Sequence, residues 1–299
     1  MANERYELDY FLVDVFTETA LMGNPLAVVM NTARLSTEQM QAIAREFNLS
    51  ETTFVERRAP EEEASVGVRV RIFTTEEELP FAGHPTLGTA SVLKLTAPET
   101  VHDGDTVTLA ENVGPIPVRF ADPLRPLAGE MTQRDPEFGV KLDAPRVAEL
   151  CGLNLEDLGP VAPPQVVSTG TAFAIVPVRS VEALGRLNVR QQEATVWLRS
   201  LGARWFYVIA PESEDEFRAR MQFNGGEDPA TGSAAGCAIS YLVHHGIVPS
   251  GKQIHVRQGV EMGRPSDLFL SAKLDTAKVT EVRVGGSTVL VATGRLFLP

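Results

Sequence analysis

The segment His84-Pro85-Thr86-Leu87-Gly88-Thr89-Ala90 has a counterpart later in the chain, Asp228-Pro229-Ala230-Thr231-Gly232-Ser233-Ala234. Both read x-P-x-x-G-[ST]-A. Both open runs of small and apolar residues, which reads as a pair of buried helices. Proline suits the first helical position, where a missing N–H costs nothing, so His84 and Asp228 are expected at or beside the two N-caps.

The repetition extends outward from this pair, in the same order and at an offset of about half the chain. Gly23–Val29 reads G-N-P-L-A-V-V and Gly170–Val176 reads G-T-A-F-A-I-V. A capped amphipathic helix follows each. Ser36 and Gln39 form a capping box ahead of the stripe Met40, Ile43, Ala44 and Phe47; Asn188 and Gln191 stand the same way ahead of Ala194, Trp197, Leu198 and Leu201. Short strands follow, Thr52–Val55 and Trp205–Ile209. Alternating strands come next, with Val66, Val68, Val70 and Ile72 matching Phe217, Ala219, Met221 and Phe223. The pattern predicts an α+β fold of two pseudo-symmetric domains, each a β-sheet wrapped around one central helix. The expected division is 1–123 and 124–299, in the Pro-rich stretch Ala121–Leu127, with strand 287–299 crossing back to the first domain. On superposition His84 is expected over Asp228, and Ala44 near Leu198.

Composition narrows the function. The chain has 299 residues, 43% hydrophobic and 22% charged, as in a soluble globular protein. No apolar run is long enough to span a membrane. Met1 to Tyr10 is polar and acidic and carries no secretory signal, so the expected location is cytoplasmic. Lys and Arg number 27 against 39 Asp and Glu, a net charge of −12, with no basic stripe; nucleic acid is not an expected partner. Cys151 and Cys237 form no CxxC pair. The histidines form no HxH or HExxH pattern, and no glycine-rich nucleotide loop is present. Neither a metal nor a cofactor is expected.

The two helix starts carry the chemistry. Free N–H groups and the helix dipole make each an anion site, approached closely at Gly83 and at Gly225-Gly226. If the halves face each other, the two sites converge on one cleft. Such a cleft suits removal of a proton alpha to a carboxylate, because preorganised donors stabilise the charge that develops. A protonated His84 would strengthen the anion site, so binding is expected to tighten as pH falls through its titration. The base candidate is Glu51, between a helix end and a strand start, where partial burial raises a carboxyl pKa toward the working range. Taken singly, each residue has an ordinary reading: Glu51 a solvated loop residue, His84 a helix-start hydrogen-bonder, Asp228 an N-cap, Ser233 a small packing residue. The paired motifs raise all four together.

These residues also carry a family resemblance. Asp14-Val15-Phe16 with Gly23-Asn24-Pro25, Ser50 to Val55, Leu79 to Gly88 and Glu227 to Ala234 resemble the signatures of the PhzF-like proteins, in order across almost the whole chain. The resemblance implies the diaminopimelate epimerase-like fold and a homodimer without cofactor. It implies that Glu51 is the acid–base, that His84, Asp228 and Ser233 hold or protonate a small carboxylate-bearing substrate, and that the reaction is an isomerisation. Gly83, Thr86 and Gly232, in the helix starts, and Asn24, in the first signature, are the expected substrate-binding positions. The link Phe223-Asn224-Gly225-Gly226 is shorter than the resemblance implies.

Three functions compete. The first is a one-base isomerase of the PhzF-like type. The second is an epimerase or racemase, with Glu51 opposed by Asp228 or His84. The third is a non-catalytic metabolite-binding protein on the same fold. The cysteine pair used by the related epimerases and proline racemases is missing from the matched positions, which favours the first.

Overall fold

The computed structural model describes residues 6–223 and 225–298, so Met1–Arg5 and Asn224, parts of two segments read above, lie outside the described residues. The chain divides into two compact units, Met1–Met131 with Gly286–Pro299, and Thr132–Gly285.

The first unit runs β1 (Tyr6–Val15), β2 (Asn24–Val29), α1 (Thr37–Phe47), β3 (Thr52–Glu56), α2 (Pro60–Val66), β4 (Val68–Phe73), β5 (Glu78–Leu79), α3 (Gly83–Thr96), β6 (Val101–His102), β7 (Thr106–Glu111), β8 (Gly114–Arg119) and β9 (Ala128–Thr132). The second runs β10 (Glu137–Lys141), α4 (Ala144–Cys151), β11 (Gln165–Ser168), β12 (Ala172–Pro177), α5 (Val181–Gly185), α6 (Gln191–Ser200), β13 (Phe206–Pro211), β14 (Glu216–Phe223), β15 (Gly226–Asp228), α7 (Gly232–His244), β16 (Ile254–Gln258) and β17 (Ser266–Asp275). The last strand, β18 (Lys278–Leu298), pairs with β17 through its first half and with β1 through its second. The unit boundary falls at 131/132 and not at 123/124, because β9 still pairs with β8.

The pairing sense is the same in both units. In the first, β1–β2 is antiparallel, β2–β3 parallel, β3–β4 antiparallel, β4–β7 parallel, and β7–β8 and β8–β9 antiparallel. In the second, β11–β12 is antiparallel, β12–β13 parallel, β13–β14 antiparallel, β14–β16 parallel, and β16–β17 and β17–β18 antiparallel. Each sheet packs on one central helix. Every residue from Gly83 to Leu93 of α3 is buried, and every residue from Gly232 to Val243 of α7. A helix apolar all round belongs at the centre of a core. A Cβ at Gly88 would lie 2.6 Å from a Leu26 methyl and 2.8 Å from a Val15 methyl, so glycine is what lets α3 lie directly on β1 and β2.

Several expectations change. The Ser36–Gln39 capping box forms, and Met40, Ile43 and Ala44 are buried. Asn188–Gln191 does not cap its helix: α6 starts at Gln191 with Arg190 at the N-cap and no side-chain cap bond. Val66 ends α2 and is exposed, because the turn at Gly67 (φ 92°) delays the strand to Val68.

The registers also correct the match between the halves. Ile72 pairs with Leu79, and Met221 with Asp228. Arg71 forks onto Glu78 at 2.9 and 2.6 Å, and Arg220 onto Glu227 at 2.8 and 2.6 Å. One spacing separates Arg71 from Arg220, Glu78 from Glu227, and Gly83 from Gly232, the first residues of the two helices. His84 therefore corresponds to Ser233, each second in its helix, and Leu79 corresponds to Asp228. The x-P-x-x-G-[ST]-A likeness was out of register. Ala44 and Leu198 do correspond, each buried four residues after the first buried position of its helix, Met40 and Ala194.

Candidate active site

In the first unit, α1 ends at Asn48 in the left-handed conformation (φ 52°), and three residues later Glu51 precedes β3. Its side chain is 16% exposed, half-buried as expected for a base. The His84 ring, from the first turn of α3, sits with Nε2 3.5 Å from Glu51 Oε2. On the other side of the ring, Nδ1 lies 3.1 Å from Asn24 Nδ2, and Ser50 Oγ donates to Asn24 Oδ1 at 3.4 Å. With the amide nitrogen as donor, Nδ1 is the acceptor and the imidazole proton rests on Nε2, facing Glu51. Glu51, His84 and Asn24 are thus brought together, and Asn24 touches the histidine as an orienting group.

His84 is 3% exposed, and burial pushes its pKa down to about 3. Burial thus works against the expected imidazolium, and against anion binding that tightens as pH falls through its ordinary titration, and favours His84 as a neutral Nε2–H donor.

The helix starts differ from the expectation as well. Pro85 is third in α3, and Pro229 lies ahead of α7, whose N-cap is Thr231. Glycine takes the first helical position in both. Asp228, expected as an N-cap, ends β15 instead. It is 6% exposed, and its Oδ2 accepts from the Thr231 hydroxyl at 2.7 Å. Ser233 is second in α7 and 6% exposed. The first N–H groups of each helix, at Gly83 and His84 and at Gly232 and Ser233, have no partner within the helix by position. Thr86 is fully buried, and both its N–H and its hydroxyl bond to Ala82 O, at 3.2 and 2.7 Å. These bonds give Thr86 a part in the scaffold of the helix start. The Gly232 carbonyl accepts from Gln133 Nε2 at 2.9 Å.

Sequence reading missed Gln258, Glu111 and Tyr207. Gln258 Nε2 donates to Asp228 O at 2.8 Å and to Thr231 Oγ at 2.9 Å, while its Oε1 accepts from Thr231 N at 3.1 Å. One side chain therefore pins the whole Asp228–Thr231 turn. The signal was alternation: Ile254 and Val256 are buried, and Gln258 is next on that face. Tyr207 is fully buried, its hydroxyl has no hydrogen-bond partner among the described residues, and burial together with the nearby Asp228 charge pushes its pKa up. Cys237 and Cys151 are buried, with thiols pushed up to about 11 and about 12 by burial. No group of three or more His, Cys, Asp or Glu among the described residues could hold a metal ion, and no helix among them is long and apolar enough to cross a membrane.

Residues 13–294 match the family model of the phenazine biosynthesis-like proteins, PhzC-PhzF. The trans-2,3-dihydro-3-hydroxyanthranilate isomerase of Pseudomonas aeruginosa is 37% identical over 294 residues, covering 97% of this chain and 99% of that protein. A solved structure from the same organism, described as a predicted epimerase, superimposes with a TM-score of 0.84 at 36% identity, covering 98% of this chain and all of that one. A hydroxyproline epimerase from Agrobacterium vitis shares the fold at a TM-score of 0.65 and 10% identity, covering 98% and 93% of the two chains. The fold is diaminopimelate epimerase-like, and the chain belongs to the PhzC-PhzF family, as an isomerase of that family.

Proposed function

We propose that this isomerase moves a proton within a small carboxylate-bearing metabolite by one-base catalysis, without a cofactor, and that Glu51 carries the proton. The observation that carries the reading is the Glu51–His84–Asn24 group: a half-buried carboxylate 3.5 Å from Nε2 of a buried imidazole whose Nδ1 meets Asn24. Glu51 takes a proton from a substrate carbon that is conjugated with the carboxylate. The electron pair moves into the carboxylate and the adjoining unsaturation, where His84 Nε2–H and helix-start N–H groups stabilise it. Glu51 then returns the proton to a different carbon, so atoms and charge balance with no other reagent. Asp228 and Ser233 are given the task of holding the substrate.

Two observations favour this over a two-base inversion. His84 lies beside Glu51, so the two form one proton-handling group and not an opposed pair. The registers Phe54–Arg71 and Val208–Arg220 align Thr52 with Phe206, so the position matching Glu51 is Trp205, which carries no exchangeable acid proton.

The substrate of the P. aeruginosa relative, trans-2,3-dihydro-3-hydroxyanthranilate, is the first to test. Turnover by the parent, lost in Glu51→Gln, is the expected result. Turnover that survives in Glu51→Gln would remove Glu51 as the base.

A further inference from the structure

Glu111 is third in the inward-facing series Val107, Leu109, Glu111 of β7, and it is 5% exposed. Its Oε1 lies 2.6 Å from Thr86 Oγ, which lies 2.7 Å from the Ala82 carbonyl oxygen. Contacts this short between oxygens each need a proton. A threonine hydroxyl has one and a carbonyl has none. The second proton therefore belongs to the Glu111 carboxyl, and donation runs from Glu111 to Thr86 to Ala82. The other carboxyl oxygen, Oε2, is buried with no hydrogen-bond partner among the described residues, which a neutral acid tolerates far better than a carboxylate.

The second unit supplies independent support. Arg69 pairs with Ala110 across β4 and β7, and Arg218 with Arg257 across β14 and β16. The next residues, Glu111 and Gln258, therefore occupy corresponding positions. Gln258 has the shape of a protonated glutamate and no charge, and it bonds the turn that leads into α7, as Glu111 bonds the first turn of α3.

We propose that Glu111 is a positioning residue that works as an uncharged acid, tying the first turn of α3, and with it His84, to β7, and that its ionisation loosens that turn. Burial pushes its carboxyl up to about 8, against the opposing pull of Arg69. Thr86 faces it from α3 and Arg69 from β4, the latter spent on Ala110 O and Asn112 Oδ1. Asn112, beyond the strand end, bonds Glu78, which Arg71 holds; the buried acid of α2, Glu63, is held by Arg57. A raised folded-state pKa lends stability that is full below about 4.5 and is lost as pH rises through about 8.

The test is a carbon NMR titration of glutamate carboxyl and histidine ring signals, with Glu111 and His84 assigned through Glu111→Gln and His84→Asn. Glu111 is expected to titrate near pH 8, with the His84 ring signals moving at the same midpoint in the parent and holding still in Glu111→Gln. A Glu111 signal that titrates near 4.5, or His84 signals that move alike in Glu111→Gln, would overturn the proposal. If Glu111→Gln does not fold, the parent decides alone, by whether any glutamate carboxyl signal titrates near pH 8. One further arm rests on the proposed function: with a turned-over substrate, Glu111→Gln is expected to keep kcat and to lose the parent's alkaline fall. Failure to find a substrate counts against that function and leaves the NMR midpoints to judge Glu111.

Discussion

The two units share strand order, pairing sense and helix start, and they differ in what stands at the matched positions. Where the first unit has Glu51, the second has Trp205. His84 is matched by Ser233, Glu111 by Gln258, and Leu79 by Asp228. The salt bridges that brace the scaffold are common to both, Arg71–Glu78 and Arg220–Glu227. The difference teaches that the duplicated part is architecture. The first unit gathers Glu51, His84 and Asn24, while the second has Asp228 on a turn pinned by a neutral amide and Ser233 in the first turn of α7. An opposed pair built on the repeat itself would place like groups at matched positions, and the matched positions are unlike.

The largest effect expected from this asymmetry is at Glu51. Glu51→Gln should lower kcat by about 10²–10⁴-fold, the range of a positioned acid–base, and leave Tm unchanged because the change is isosteric. Trp205→Phe, at the matched position, should leave kcat within a fewfold. Comparable losses in both would break the comparison.

His84→Asn comes next, with an expected loss in kcat of about 10²-fold, as for a lost donor to a developing oxyanion. Asn24→Leu should act through the same ring by freeing its tautomer, with a loss of about 10-fold. The buried neutral ring also leaves a mark on stability. Burial pushes His84 down to about 3 from its ordinary 6.5, so the unfolded chain binds the extra proton between those values. Stability of the parent should fall relative to His84→Asn as pH drops from about 6.5 toward 3, read by denaturant midpoints. A parallel course for the two proteins would mean that the ring is charged when folded.

The smallest expected effects compare the two braces. Arg220 and Glu227 are 9% and 12% exposed, Arg71 and Glu78 17% and 23%. Breaking the more buried pair leaves a less solvated cation behind, so Glu227→Gln should cost about 3 kcal/mol and Glu78→Gln about 1–2 kcal/mol. Arg71 holds the Glu78 carboxyl below its ordinary value of 4.5, so the Glu78 contribution is present above that value and lost as pH falls below it. Equal costs would show that the braces are buried alike.

Much of this was legible in the chain. Alternation and helical stripes located the strands and both central helices, and the signatures placed Glu51, His84, Asp228 and Ser233 at element ends. Register was not legible. The prolines at 85 and 229 invited a match of His84 with Asp228, yet backbone pairing and the two Arg–Glu forks set the true correspondence, and these form only when strands meet. Nor could the sequence show that His84 is neutral, because that follows from full burial against Asn24. Glu111 and Gln258 were in view as polar residues closing apolar alternations, and only the hydrogen bonds they make reveal what they hold.

The central claim is that one carboxylate removes and returns the proton. It is tested most directly by following a substrate deuterated at the carbon that loses its proton through a single turnover in ordinary water. A one-base shuttle predicts a product that carries the substrate's deuterium at the new position, at a level well above that set by solvent. A product with only solvent hydrogen at that carbon, formed at full rate, would contradict it.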